Sequence, residues 1–262
     1  MLEAGALENV NAIFGLHVEP KLPIGEVACR NGPIFAGSGS FEAVISGKAG
    51  HAALPQHSLD PILAASNVII SLQDLVSLEA DPLDSQLVTI VKFQGHGAFN
   101  VIPDSVTIGG TFRAFSKESF IRLRQRIEQV ITGQATVQRC KASESFLENE
   151  KPFFPPTVNR EDLHAYFKRV AGEMLNSHKV KEMQPEMGSE DFSFYQEAIT
   201  IYFFLLGMEN NILGKLESVH SPYFRINEEA LPYGAALLAS LAIFLSSNLR
   251  FFLPEGELHD EL

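Results

Sequence analysis

The chain has 262 residues, 45% hydrophobic and 20% charged, a composition that excludes disordered, collagen-like and low-complexity architectures. At about 100–200 residues per domain, this length suits one large domain or two modest ones. With 20 basic against 32 acidic residues the net charge is −12, so neither nucleic acid nor an anionic membrane is an expected partner.

The N-terminal residues Met1-Leu2-Glu3-Ala4-Gly5-Ala6-Leu7-Glu8 have no basic segment followed by an apolar one, as a secretory signal needs. The stretch 12–18 is a short apolar run, expected as a buried strand that Pro20 and Pro23 end. Residues 27–36 suit a second extended piece, and Gly37-Ser38-Gly39-Ser40 suits a hinge. Alternation over 40–46 predicts a strand. The loop 47–58 follows, carrying His51 and His57. Pro61 opens a helix with Ile62, Ile69, Leu72 and Val76 at helical spacing. Strands are expected at 86–93 and 105–115, on either side of a turn at 100–104. Ser116 can cap a helix with inner residues Phe120, Leu123, Ile127 and Val130, and 136–146 reads as a last strand.

That order is β-α-β-β-α-β, the ferredoxin-like split βαβ pattern. Beyond a second candidate hinge at 152–156, a helix is expected at 161–175, and Ser189-Glu190-Asp191 has N-cap chemistry. A buried strand at 199–206 and a closing helix at 228–245 complete the chain. Within that helix the most apolar stretch, 235–245, is shorter than the roughly 20 residues of a membrane span. The fold class expected is an α/β domain over 1–38 and 148–262, interrupted by an α+β ferredoxin-like βαββαβ domain over 39–147.

Cys29 and Cys140 form no C-x-x-C and are expected as buried free thiols. No H-E-x-x-H, P-loop, G-x-S-x-G or dinucleotide glycine fingerprint occurs. The chemistry must then come from scattered side chains. His17 lies at the C-terminal end of a strand, the edge where α/β sheets gather ligands. His220 sits on a loop before the last helix, and the small neighbours of His51 leave its ring uncrowded. Position alone leaves each of them either a structural histidine or a functional one. Arg113, at a strand end, can fork onto a carboxylate or form a surface ion pair. His57, His96, His164 and His178 read as surface residues.

Five segments occur in order: Ile13-Phe14-Gly15-Leu16-His17-Val18, Gly50-His51-Ala52-Ala53-Leu54-Pro55-Gln56, Ala98-Phe99-Asn100-Val101-Ile102-Pro103-Asp104, Met187-Gly188-Ser189-Glu190-Asp191-Phe192 and Val219-His220-Ser221-Pro222. Together they resemble the zinc aminoacylase and carboxypeptidase family, nearest its branch of plant indole-3-acetic acid–amino acid hydrolases. The resemblance implies a two-metal catalytic domain interrupted by a ferredoxin-like lid and dimerisation domain. It implies hydrolysis of small amino acid conjugates by water activated on a divalent metal, Mn or Zn. His17 and His220 match metal ligands, and His51 matches a histidine that stabilises the oxyanion, often across a dimer. Asn100 and Arg113 match positions that hold substrate polar groups.

The family's C-G-H-D motif and its Glu-Glu pair, the source of the general base, do not occur in this sequence. The expectation is therefore an N-terminally truncated member, inactive alone, or a non-catalytic protein that pairs with full-length relatives or binds conjugates. The terminal His259-Asp260-Glu261-Leu262 is an endoplasmic-reticulum retrieval signal, so the lumen of that compartment is the expected location.

Overall fold

A computed structural model describes residues 2–95, 97–210 and 217–246, which fall into two compact units. An inserted unit is made of 35–157 and 186–194, and an outer unit of 1–34, 158–185 and 195–262. His96 and the terminal His259-Asp260-Glu261-Leu262 lie outside the described residues.

In the inserted unit, strands Gln86–Gly95, Ser105–Ala114, Gly37–Ser46 and Lys141–Ser145 form one sheet in that spatial order, with every pairing antiparallel. Helices Pro61–Asp74 and Lys117–Val137 connect them, so the chain order is β-α-β-β-α-β. Each helix has a chemical reason to start. Asp60 caps the first, its carboxylate accepting from the Ile62 and Leu63 amides, with Pro61 at the first helical position. Ser116 caps the second by accepting from the Ser119 amide. The first helix buries Ala64, Ala65, Val68 and Leu72, and Ile69 and Val76 pack against the same core; of the expected inner residues Ile62 alone is exposed, a correction at that position. The second buries Phe120, Leu123, Ile127, Ile131 and Ala135 and runs on to Val137, so the last strand starts later than expected, at Lys141.

Gly37 to Ser40 is strand, not hinge. Glycine at position 39 answers to packing: a Cβ there would stand 2.5 Å from the Phe112 ring. That ring is the centre of an aromatic core, stacked on Phe120 at 4.7 Å and edge-on to Phe146 and Phe153. Residues 186–194 belong to this unit because the Ala36 amide donates to the Glu186 and Gly188 carbonyls, at 3.1 and 2.9 Å.

The outer unit has a four-stranded sheet in the order Ala12–Pro23, Thr200–Glu209, Val27–Cys29, Val180–Glu182. The first pair and the last pair are parallel, and the middle pair is antiparallel. Thr200–Glu209 is buried from Ile201 to Met208, as a strand covered on both faces requires. Tyr202, Phe204, Leu206 and Met208 pack with Leu163, Phe167 and Val170 of helix Glu161–Leu175 and Leu237 and Leu241 of helix Leu231–Ser246. Ala12–Pro23 runs through Pro20, expected to end it, and stops at Pro23. It is an edge strand, where a missing N–H costs no ladder bond, and its register shifts between Glu19 and Pro23. The Asn159 side chain substitutes for a further strand: its amide exchanges two hydrogen bonds with the Phe203 backbone, both at 2.8 Å, and donates a third to the Arg30 carbonyl.

His164 is not a surface residue. Its Nδ1 lies 2.7 Å from the Tyr202 hydroxyl, and its Nε2 faces Glu182 at 3.9 Å. Cys29 and Cys140 are both free and buried. Two stretches, Pro61–Glu79 and Glu228–Leu245, are long and apolar enough to cross a membrane by length and composition alone; the first lays its buried stripe on the inserted unit's sheet.

Candidate active site

Two β-turns present His51 and Asn100. In the first, the Leu54 amide donates to the His51 carbonyl at 2.8 Å; in the second, the Val101 amide donates to the Ala98 carbonyl at 2.9 Å. Short strands Gly50–His51 and Val101–Ile102 pair antiparallel, and the Ala52 amide donates to the Asn100 carbonyl at 2.9 Å. The two turns are thus one knuckle of the inserted unit. Gly50 is required there, since a Cβ would come within 1.9 Å of the buried Ser58 hydroxyl.

The His51 ring is exposed, and its Nδ1 accepts a hydrogen bond from the Ala53 amide at 3.1 Å. A nitrogen that accepts cannot carry the proton, so the neutral imidazole holds its hydrogen on Nε2. That leaves a donor directed away from the loop, the polarity an oxyanion needs.

Arg113 lies on strand Ser105–Ala114 and is half-buried. Its Nη1 donates to the Met187 carbonyl at 2.7 Å and approaches the Ser189 hydroxyl at 3.4 Å, and the Ser38 hydroxyl donates to Ser189 at 2.9 Å. A guanidinium held this way is pre-oriented to offer its remaining N–H groups to a carboxylate. Ser38, Met187 and Ser189 were read from the sequence only as hinge, segment and cap residues, not as supports of Arg113. They meet Arg113 across 74 to 76 residues or more, and no local pattern announces such a contact.

His17 and His220 belong to the outer unit. His17 lies on the edge strand, on the face opposite Leu16 and Val18, exposed and edge-on to Phe203 at 5.1 Å between ring centroids. His220 sits in the turn closed by the Ser221 amide on the Ser218 carbonyl, with φ of +66°, a left-handed conformation uncommon outside glycine. Among the described residues no group of three or more His, Cys, Asp and Glu stands close enough to hold a metal. Catalytic zinc takes three protein ligands and an open position, so the described residues do not by themselves complete a metal centre.

A model of peptidase family M20/M25/M40 matches residues 1–243. The IAA-amino acid hydrolase ILR1-like 4 of Arabidopsis thaliana is 66% identical over 242 residues, 92% of this chain and 55% of that protein. The N-acetylcysteine deacetylase of Bacillus subtilis (strain 168) is 35% identical, over 95% of this chain and 63% of that one. Among solved structures, the Bacillus subtilis YXEP protein, described as a dinuclear metal-binding peptidase, superposes with a TM-score of 0.76 at 31% identity, over 93% of this chain and 60% of that one. The chain spans about half the length of the plant relatives it matches.

Proposed function

The chain belongs to peptidase family M20/M25/M40, and from that premise we propose that it serves the hydrolysis of amide-linked amino acid conjugates, those of indole-3-acetic acid among them. In this reading His51 donates from Nε2 to the oxygen on which charge develops as water attacks the acyl carbon. Asn100 and Arg113 hold the amino acid's polar groups, Arg113 by charge-assisted bonds to its carboxylate. His17 and His220 would be imidazole ligands of a divalent metal, manganese or zinc, which when bound would lower the pKa of the attacking water. The observation that carries the reading is the Ala53 amide on His51 Nδ1, which fixes the donor tautomer without any substrate. The terminal His259-Asp260-Glu261-Leu262 supports placement in the lumen of the endoplasmic reticulum.

A second reading has its own observation. Strand Gln86–Gly95 is an edge of the inserted unit's sheet and exposes Leu87, Val91 and Phe93, so it can add a strand from a second copy or a longer relative. The chain then acts as a lid-bearing partner and not as a hydrolase on its own.

One assay separates the two readings. The purified chain is incubated with indole-3-acetyl amino acids and added manganese or zinc. Turnover abolished by His220→Ala and reduced about 100-fold by His51→Ala supports the first, in line with loss of a single oxyanion donor. No turnover, with stable pairing to a full-length relative, supports the second.

A further inference from the structure

The knuckle that carries His51 and Asn100 is apolar on its surface. Leu54 is 50% exposed, Val101 is 44% exposed, and the Phe99 ring is fully in solvent. The other phenylalanines of this unit's core, Phe41, Phe112, Phe120, Phe146 and Phe153, pack against one another. Keeping a large apolar side chain in water forgoes the gain of burying it. One such residue alone would say little, but here three stand on two turns tied together by the Ala52–Asn100 bond.

The pairing sets the neighbours. His51 pairs with Val101, and Phe99 and Asn100 occupy the turn that leads directly into Val101, closed by the Val101 amide on the Ala98 carbonyl. The Ala52 amide on the Asn100 carbonyl ties that turn to the one carrying His51. A conjugate places its carbonyl between two unlike ends. With the carbonyl at His51 Nε2 and the carboxylate toward Arg113, the acyl group is the part left for the apolar side of the knuckle.

Resting on the hydrolase reading above, we propose that Phe99 is a specificity-determining residue that stacks on an aromatic acyl group of the substrate. Leu54 and Val101 form the rest of that apolar wall. An acetyl group is too short to use it, so the wall favours aromatic over small acyl groups without touching the scissile bond.

The chain contains no tryptophan, so indole emission reports the ligand alone. Indole-3-acetyl-alanine is titrated with the full chain, with Phe99→Ala and with Phe99→Tyr, following emission anisotropy, and N-acetyl-alanine is used as a displacing ligand. The expected result is about a tenfold loss of affinity for the indole conjugate in Phe99→Ala, retention in Phe99→Tyr, and no change for N-acetyl-alanine. Unchanged indole affinity in Phe99→Ala overturns the proposal, as does an equal loss for both ligands, which would mark a structural effect. If the unaltered chain binds neither ligand, the hydrolase reading itself falls and takes this one with it. Binding of N-acetyl-alanine but not of the indole conjugate overturns the role of Phe99 alone.

Discussion

In the inserted unit two capped helices lay narrow apolar stripes on one face of an all-antiparallel sheet, and the short edge strand Lys141–Ser145 is polar. The outer unit is built on a strand buried along nearly its whole length and on a helix, Leu231–Ser246, that is apolar on all sides while Leu231, Ala235, Ala236 and Ala239 stay exposed. Its edge strand Ala12–Pro23 carries twelve residues paired on one side only. The first unit closes its core with its own helices and sheet yet leaves Val91, Phe93 and Phe99 exposed at its edge strand and knuckle, while the second centres its core on one strand buried on both faces. The candidate residues divide along the same line: the knuckle with His51 stands on the antiparallel inserted unit, and the imidazoles of His17 and His220 stand on the mixed-sheet outer unit.

The largest test of that contrast is Phe112→Ala. Removing the fully buried ring at the centre of the aromatic core is expected to cost about 3–5 kcal/mol. If the units are energetically separate, hydrogen exchange accelerates in the inserted unit and stays unchanged over Thr200–Glu209. Loss of protection in both would show them to be one cooperative body. Next in size, Tyr202→Phe removes the buried hydroxyl bonded to His164, and roughly 1–3 kcal/mol should disappear from the outer unit, read as a shift in its urea midpoint. Asp60→Ala should take about 1 kcal/mol from the inserted unit by uncapping its first helix, with fraying of residues 61–64 visible by exchange.

The smallest expected effect is a difference in pH response. Burial holds His164 below the ordinary histidine range, with Glu182 opposing the shift and Lys168 adding to it. The folded outer unit therefore binds fewer protons than its unfolded chain as pH drops below about 6.5, and stability declines from there toward the lowered folded value. In the inserted unit the Arg126 guanidinium, bonded to Glu79, holds that carboxyl below its usual range. Its contribution is present above the ordinary carboxylate value and is lost only as the medium becomes more acidic than that. Urea unfolding at about pH 7.5 and about pH 5.5 should thus weaken the outer unit first, and His164→Gln should flatten the slope. An equal loss in both units would remove this distinction.

Much of the architecture could be read from the residues because it is encoded locally. The caps at Asp60 and Ser116, the alternation in the strands and the apolar run around Ile201 each state their element within a few positions. The errors came where a distant partner decides. Gly39 is a strand residue because of Phe112, and Pro20 continues a strand because its edge is open. Residues 186–194 join the inserted unit through bonds to Ala36, and His164 is buried by Tyr202. At the candidate site the motif residues themselves were legible, while their supports were not: the Ala53 amide on His51 and the Met187 carbonyl on Arg113 become visible only in the folded chain.

Each of the two cores holds one sulfhydryl, Cys140 in the inserted unit and Cys29 in the outer one. Burial pushes the Cys29 thiol up to about 11 and raises Cys140 as well, so the nucleophilic thiolate is scarce at neutral pH. An alkylating reagent must wait for local opening before it reacts. Mass spectrometry of the two labelled peptides over time would therefore run two independent clocks inside a single molecule, one for each core.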